Sequence, residues 1–130
     1  MGTRFTATRE SLSSQAMKEK TVASGGDQTA QTRVFDIVRA AAWPAIYPGR
    51  ALRNDFFDRW HGKEEALTEQ QKEVDASYSA TAPDDLNQRV VWAGESVDLV
   101  RDIPSARDLI ERIVDEAAVV LRSGAALVRA

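Results

Sequence analysis

The sequence predicts an α/β chain that is largely helical with one or two short strands. Three observations carry this expectation. The closing third holds a long apolar stripe at helical spacing, residues 31–39 alternate as a strand does, and glycine and proline break the rest into short pieces. The stripe of that closing helix is wider than the remaining segments can cover, which points to a larger fold of which this chain is a part.

The elements follow in order. Residues 1–6, Met-Gly-Thr-Arg-Phe-Thr, read as the end of a strand entering a loop. Ser11 or Ser13 can cap a helix running to about Ser24, with Leu12, Ala16 and Met17 on its inner side. Gly25, Gly26 and Asp27 stop it. In residues 31–39, Phe35 and Ile37 fall on one face of a strand, Val34 and Val38 on the other. No comparable segment stands nearby, so the strand's partner is expected to be short or to lie outside the chain.

Residues 40–50 contain Trp43-Pro44 and Tyr47-Pro48-Gly49 and predict an irregular, turn-rich loop. Leu52, Phe56 and Trp60 recur every four residues, marking a short amphipathic helix that ends at Gly62. A second, mostly polar helix runs from Lys63 to about Tyr78, with Leu67, Val74 and Tyr78 facing inward. Residues 81–88 are a Pro/Asp-rich linker, and residues 90–95 an apolar run broken by Gly94. The final helix has Pro104 in its first turn. Its stripe of Ala106, Leu109, Ile110, Ile113, Val114, Ala117, Val120 and Leu121 extends to Gly124.

Composition narrows the function. The chain has 130 residues, a net charge of −3 and scattered arginines, so it lacks the basic face that nucleic acid requires. Without cysteine, disulfides, thiol nucleophiles and iron–sulfur ligation are excluded. No apolar run has the length of a membrane span and no apolar signal core precedes the first charges; the expected compartment is the cytoplasm, with no membrane partner. Met1 to Thr6 fits a myristoylation pattern, but a pattern this short matches often by chance.

The chemical inventory is small. His61, the single histidine, sits at a helix end and reads as a capping or packing residue. Glu64-Glu65 and Asp84-Asp85 are adjacent pairs that cannot face each other as a catalytic dyad, and no metal-ligand cluster is expected. Trp43, Trp60 and Trp92 are most simply core or interface anchors. Gly2-Thr3 carries more interest. A glycine after a strand lets backbone amides approach a phosphate, and a following helix start adds positive charge density. In an eight-stranded α/β barrel, the loops after the last two strands hold phosphate in this way.

Several segments, in order, resemble the C-terminal part of the nitronate monooxygenase family: Met1-Gly2-Thr3-Arg4-Phe5, Thr32-Arg33-Val34-Phe35-Asp36, the run from Tyr47 through Asn54, Arg59-Trp60-His61-Gly62, Val91-Trp92-Ala93-Gly94-Glu95, and Asp102-Ile103-Pro104-Ser105-Ala106. The resemblance implies a TIM-type FMN-binding barrel with a smaller, mostly helical domain. It also implies oxidation of alkyl nitronates by molecular oxygen to a carbonyl compound and nitrite. Met1, Gly2 and Thr3 match the family's phosphate-contacting turn and are the expected FMN-binding positions, Gly2 and Thr3 through backbone amides. Ala93-Gly94-Glu95 resembles a turn near the flavin. The family's catalytic histidine lies on an earlier barrel strand, so no catalytic residue is assigned here and His61 is not that histidine.

On this reading residues 1–24 end the last barrel strand and form its following helix, 25–90 make the substrate-side domain, and 91–130 return to the barrel as the final helix. A whole barrel takes roughly 250 residues, so the chain by itself is expected to be inactive. Two other readings stand beside it. One is a relative with FMN-dependent enoyl-thioester reductase chemistry; the other is a non-catalytic helical module that binds a protein partner. Expected partners are a nitronate and oxygen, with self-association through the apolar face of the final helix.

Overall fold

The computed structural model describes residues 1–128, with side chains to Ala125. Seven α-helices and one two-stranded sheet are present among them: α1 (Gly2–Thr6), α2 (Gln15–Ala23), β1 (Thr29–Thr32), α3 (Val34–Val38), β2 (Gly49–Leu52), α4 (Asp55–Trp60), α5 (Glu64–Glu69), α6 (Gln71–Ala80) and α7 (Ala106–Val128). Short 3-10 turns at Gly26–Gln28 and Glu95–Leu99 complete the chain. The largely helical character and the short strands are as the sequence predicts.

Local chemistry explains where the elements differ from expectation. The first residues form α1 rather than a strand end, since no strand beside them among the described residues offers a ladder and a helical turn satisfies the backbone locally. Ser14, not Ser11 or Ser13, caps α2, its hydroxyl accepting the Met17 amide. Leu12 lies in the preceding bend and is fully exposed, while Met17 packs against buried Leu52, Val91, Ala93 and Val97. Gly25 and Gly26 end α2 because the chain there presses on the Glu95–Leu99 turn. A side-chain carbon on Gly26 would fall 2.5 Å from the Glu95 carbonyl oxygen.

Residues 31–39 divide into the end of β1 and a helix. The buried Thr32 hydroxyl accepts the Val34 amide, which turns the chain, and Val34, Phe35 and Val38 then share one helical face with no exposure. A short run of β-branched residues carries either period, and burial on a single face selects the helix. Helix α3 ends in a Schellman arrangement, the Ala41 amide bonding to Asp36 O and the Ala40 amide to Ile37 O. Ala40 pays for this with φ of +46°, a left-handed conformation suited to glycine.

The pairing partner of β1 is in the chain. Strand β2 runs antiparallel to it, with Thr29 opposite Leu52 and Thr32 opposite Gly49. Trp92 adds an isolated bridge to Ala51, flanked by bonds from Leu52 N–H to Val91 O and Ala93 N–H to Arg50 O. Gly49 has to be glycine, because the Trp92 ring lies where its side chain would project. The 40–50 loop is irregular as expected up to Pro48, and its last two residues belong to β2.

Helix α4 carries Phe56 and Trp60 inward; Leu52 belongs to β2 instead. Asn54 caps α4 by accepting the Phe57 amide, and its side-chain N–H group donates to the Leu86 and Arg89 carbonyls, fastening the 81–89 segment. Gly62 ends this helix at φ of +79°. The predicted helix from Lys63 is two helices, broken at Gln70, so that Leu67 of α5 and Tyr78 of α6 both reach the core containing α3. The Gln71 side chain donates to Val38 O and holds the junction. Phe35, Phe56 and Tyr78 form a chain of aromatic contacts through this core, at centroid separations of 5.6 and 5.0 Å.

Helix α7 starts one residue after Ser105, whose hydroxyl accepts the Asp108 amide, so buried Pro104 precedes the helix instead of lying in its first turn. It continues through Gly124, where a single glycine costs only about 1 kcal/mol among good helix formers. Leu109 is buried at its start. Ile110, Val114, Val119, Val120 and Leu121 are between 51% and 73% exposed, so the wide stripe is uncovered.

Candidate functional site

Met1, Gly2 and Thr3 occupy the start of α1. Met1 and Gly2 are exposed, and a side-chain carbon on Gly2 would meet nothing within 4 Å. The first amides of any helix lack intrahelical acceptors and so face outward. Open space at Gly2 is what the approach of a phosphate-bearing group requires. Thr3 is fixed differently: its hydroxyl oxygen accepts the Gly94 amide at 2.9 Å, leaving its own hydrogen free to donate.

That bond brings together two segments the sequence singled out separately, Met1-Gly2-Thr3 and Ala93-Gly94-Glu95. A third joins them. Arg50 of the Tyr47–Asn54 run pairs with Glu95 at 2.9 Å and donates to the Thr29 hydroxyl at 3.2 Å. The 3-10 turn at Glu95–Leu99 therefore stands at a junction between α1, the sheet and the Gly25-Gly26 turn.

On the other side of α1, Arg4 binds Asp102 through both its carboxylate and its carbonyl, and Arg112 of α7 takes the remaining carboxylate oxygen at 2.9 Å. Arg9 N–H bonds to Pro104 O, and Glu10 accepts the Ala106 amide at 2.8 Å. The start of α7 is thus clamped to the first ten residues. Asp108, in its first turn, is held below the ordinary carboxylate range chiefly by the Ser105 hydroxyl; desolvation opposes this, and Arg9 and Arg112 add lesser contributions to the lowering.

His61 lies outside this junction. It stacks on Phe57 with ring centroids 4.4 Å apart, and Glu64 approaches its Nδ1 at 3.7 Å. This is the packing role expected at a helix end. Glu64-Glu65 and Asp84-Asp85 take no part either, and no group of three potential metal ligands occurs among the described residues. Trp60 is a core anchor, while Trp43 and Trp92 line a cleft at the surface. Arg4, Arg50 and Asp102 have partners far away in sequence, so spacing alone did not reveal them; their place in the family-resembling segments was the available signal, and Arg112 lies outside those segments.

A sequence model of the nitronate monooxygenase family matches residues 1–116. The chain belongs to the nitronate monooxygenase family. A nitronate monooxygenase from Neurospora crassa is 29% identical over 120 residues, which span 90% of this chain and 31% of that protein. Among solved structures, FabK from Thermotoga maritima superposes with a TM-score of 0.64 at 26% identity, covering 95% of this chain and 38% of the other. A point variant of the same FabK gives 0.62 at 26% identity, with 95% and 35% covered.

The chain thus spans less than two-fifths of the length of each of these relatives. The family match ends within α7, and the junction of Thr3, Gly94, Arg50 and Glu95 lies wholly inside the matched residues. Among the described residues no helix is long and apolar enough to cross a membrane.

Proposed function

We propose that this chain supplies the flavin-phosphate turn and the substrate-side domain of an FMN-dependent nitronate monooxygenase with a TIM-type barrel. The enzyme would oxidise alkyl nitronates with oxygen to a carbonyl compound and nitrite. The observation that carries the proposal is the Thr3–Gly94 hydrogen bond, which seats Met1-Gly2-Thr3 against Ala93-Gly94-Glu95 in a chain of this family.

Met1, Gly2 and Thr3 are the residues that would hold the phosphate of FMN. Gly2 gives open approach to the first-turn amides, and the Thr3 hydroxyl keeps a donor free while its oxygen is anchored. The bound flavin would accept electrons from the nitronate and pass them to oxygen. Arg50, through Glu95 and Thr29, ties the phosphate turn to the sheet of the substrate-side domain, residues 25–90. Most members of the main aromatic core fall within those residues, which supports treating them as a unit. Neither the base that handles the nitronate nor the bulk of the cofactor cradle is assigned to this chain. The uncovered face of α7 is the surface on which the barrel would close.

The test is complementation. The chain is co-expressed with the barrel portion of a family member, and the complex is assayed for retained flavin and for nitrite release from an alkyl nitronate. A yellow complex that releases nitrite is expected, with flavin lost when Gly2 is replaced by a bulky residue. A complex that keeps its flavin and yields no nitrite overturns the assigned reaction; one that assembles but retains no flavin overturns the assigned phosphate turn.

A further inference from the structure

Away from the Thr3–Gly94 junction, a surface cleft of about 420 Å³ opens between the end of α3 and the 41–48 loop. Its walls are the rings of Trp43, Tyr47 and Trp92, with Pro48 and Gly49 along the side and Asp36, Arg39 and Ala41 at the α3 end. Three aromatics on the surface of a small chain, exposed by 60%, 61% and 37%, need an explanation beyond core packing.

The architecture fixes each wall. Trp92 lies across Gly49, where any side chain would displace it, and packs on its inner side against buried Phe35 in a T-shaped contact with ring centroids 6.0 Å apart. Trp43 is held by a bond from its indole N–H to the Tyr47 carbonyl, which spends its only polar group and leaves the ring for contact. Asp36 is placed by α3. One of its carboxylate oxygens is closed off from solvent and takes no hydrogen bond from the protein. Arg33 and Arg39 flank it, but neither forms an ion pair with it, and both are exposed where water and salt screen them. Burial outweighs both arginines and raises the Asp36 carboxyl above its ordinary range, so the carboxylate is under-compensated where it stands.

We propose that this cleft binds a small organic ammonium compound, its cationic head set among Trp43, Tyr47 and Trp92 and beside Asp36. Aromatic faces attract such cations through their quadrupole, tryptophan most strongly. A carboxylate at the end of the cleft supplies the counter-charge, and the volume is that of an ordinary small-molecule site. This inference is independent of the flavin reading, because it uses none of the residues that would contact the cofactor.

Choline is the probe, titrated into the whole chain and followed by tryptophan fluorescence and by broadening of its trimethylammonium proton signal. The control is its neutral isostere, in which a tert-butyl group replaces trimethylammonium. Choline is expected to saturate the change and to bind at least about fivefold more tightly than the isostere. Asp36→Asn and Trp43→Ala should each weaken binding by about tenfold. Tyr47→Ala is a second variant at an exposed position, and circular dichroism establishes that each variant is folded. Equal binding of the isostere, unchanged affinity in Trp43→Ala and Tyr47→Ala, or no saturable response from the folded chain would each overturn the proposal.

Discussion

The Thr3 hydroxyl oxygen accepts the Gly94 amide at 2.9 Å across 91 residues of sequence. Through this contact the first turn of α1 and the 3-10 turn at Glu95–Leu99 meet. Replacing Thr3 with valine keeps the shape and leaves a half-buried amide without its acceptor, at an expected cost of about 1–2 kcal/mol. Thr3→Ser should retain most of the stability. Urea unfolding measures the cost, and hydrogen exchange at Gly94 locates it; unchanged protection of that amide in Thr3→Val would refute the assignment.

Asn54 caps α4 and binds two carbonyls of the 81–89 segment with the same side chain. Asn54→Ala removes all three bonds and should destabilise by about 2–3 kcal/mol. Asn54→Asp keeps the cap and loses the two donations, so it should fall between wild type and Asn54→Ala in denaturant midpoint.

Ala40 sits at φ of +46° in the turn that closes α3. Ala40→Gly should therefore stabilise the chain by about 1 kcal/mol, against the usual sign for glycine substitutions. An unfolding midpoint below that of wild type would show that the left-handed conformation carries no strain.

Asp36 gives a pH signature. Burial raises its folded-state carboxyl above the ordinary value of 3.8. The folded state then binds the proton more tightly than the unfolded one. Its favourable contribution is complete below the ordinary value and is lost as pH rises through the folded value. Stability measured against pH should show Asp36→Asn gaining on wild type as pH rises from about 3 toward neutrality, levelling above the folded value. Parallel curves for the two proteins would overturn this account.

The exposed side chains of α7 should make the isolated chain self-associate. Val114→Lys with Leu121→Lys should shift sedimentation toward monomer at little cost in unfolding free energy, because neither side chain is buried. Persistence of the larger species would assign the contact to another surface.

The final amphipathic helix, the turn at Gly62 and the inward positions of Phe56, Trp60, Leu67 and Tyr78 were legible in the sequence, since each follows from a local period or a backbone requirement. Helix α3 was misread because Val34, Phe35, Ile37 and Val38 fit a strand as well as a helix until tertiary burial chooses between them. Strand β2 was hidden behind Tyr47-Pro48-Gly49, whose turn character masks the four residues that pair with β1. In the candidate site, Met1, Gly2 and Thr3 were expected through family resemblance, but their seat against Gly94 was not, because hydrogen bonding over such a span has no local pattern. The aromatic cleft was missed for a related reason. Its walls come from three separated segments, and each tryptophan taken alone resembles a packing residue.

The uncovered stripe of α7 also bears on the life of the protein inside a cell. An apolar helix face in water is what chaperones and quality-control proteases grip, so a molecule without its cover is drawn toward degradation. Abundance would then be set less by the rate of synthesis than by how quickly that face finds its complement. Variants far from the proposed phosphate turn would then lower abundance simply by slowing that encounter.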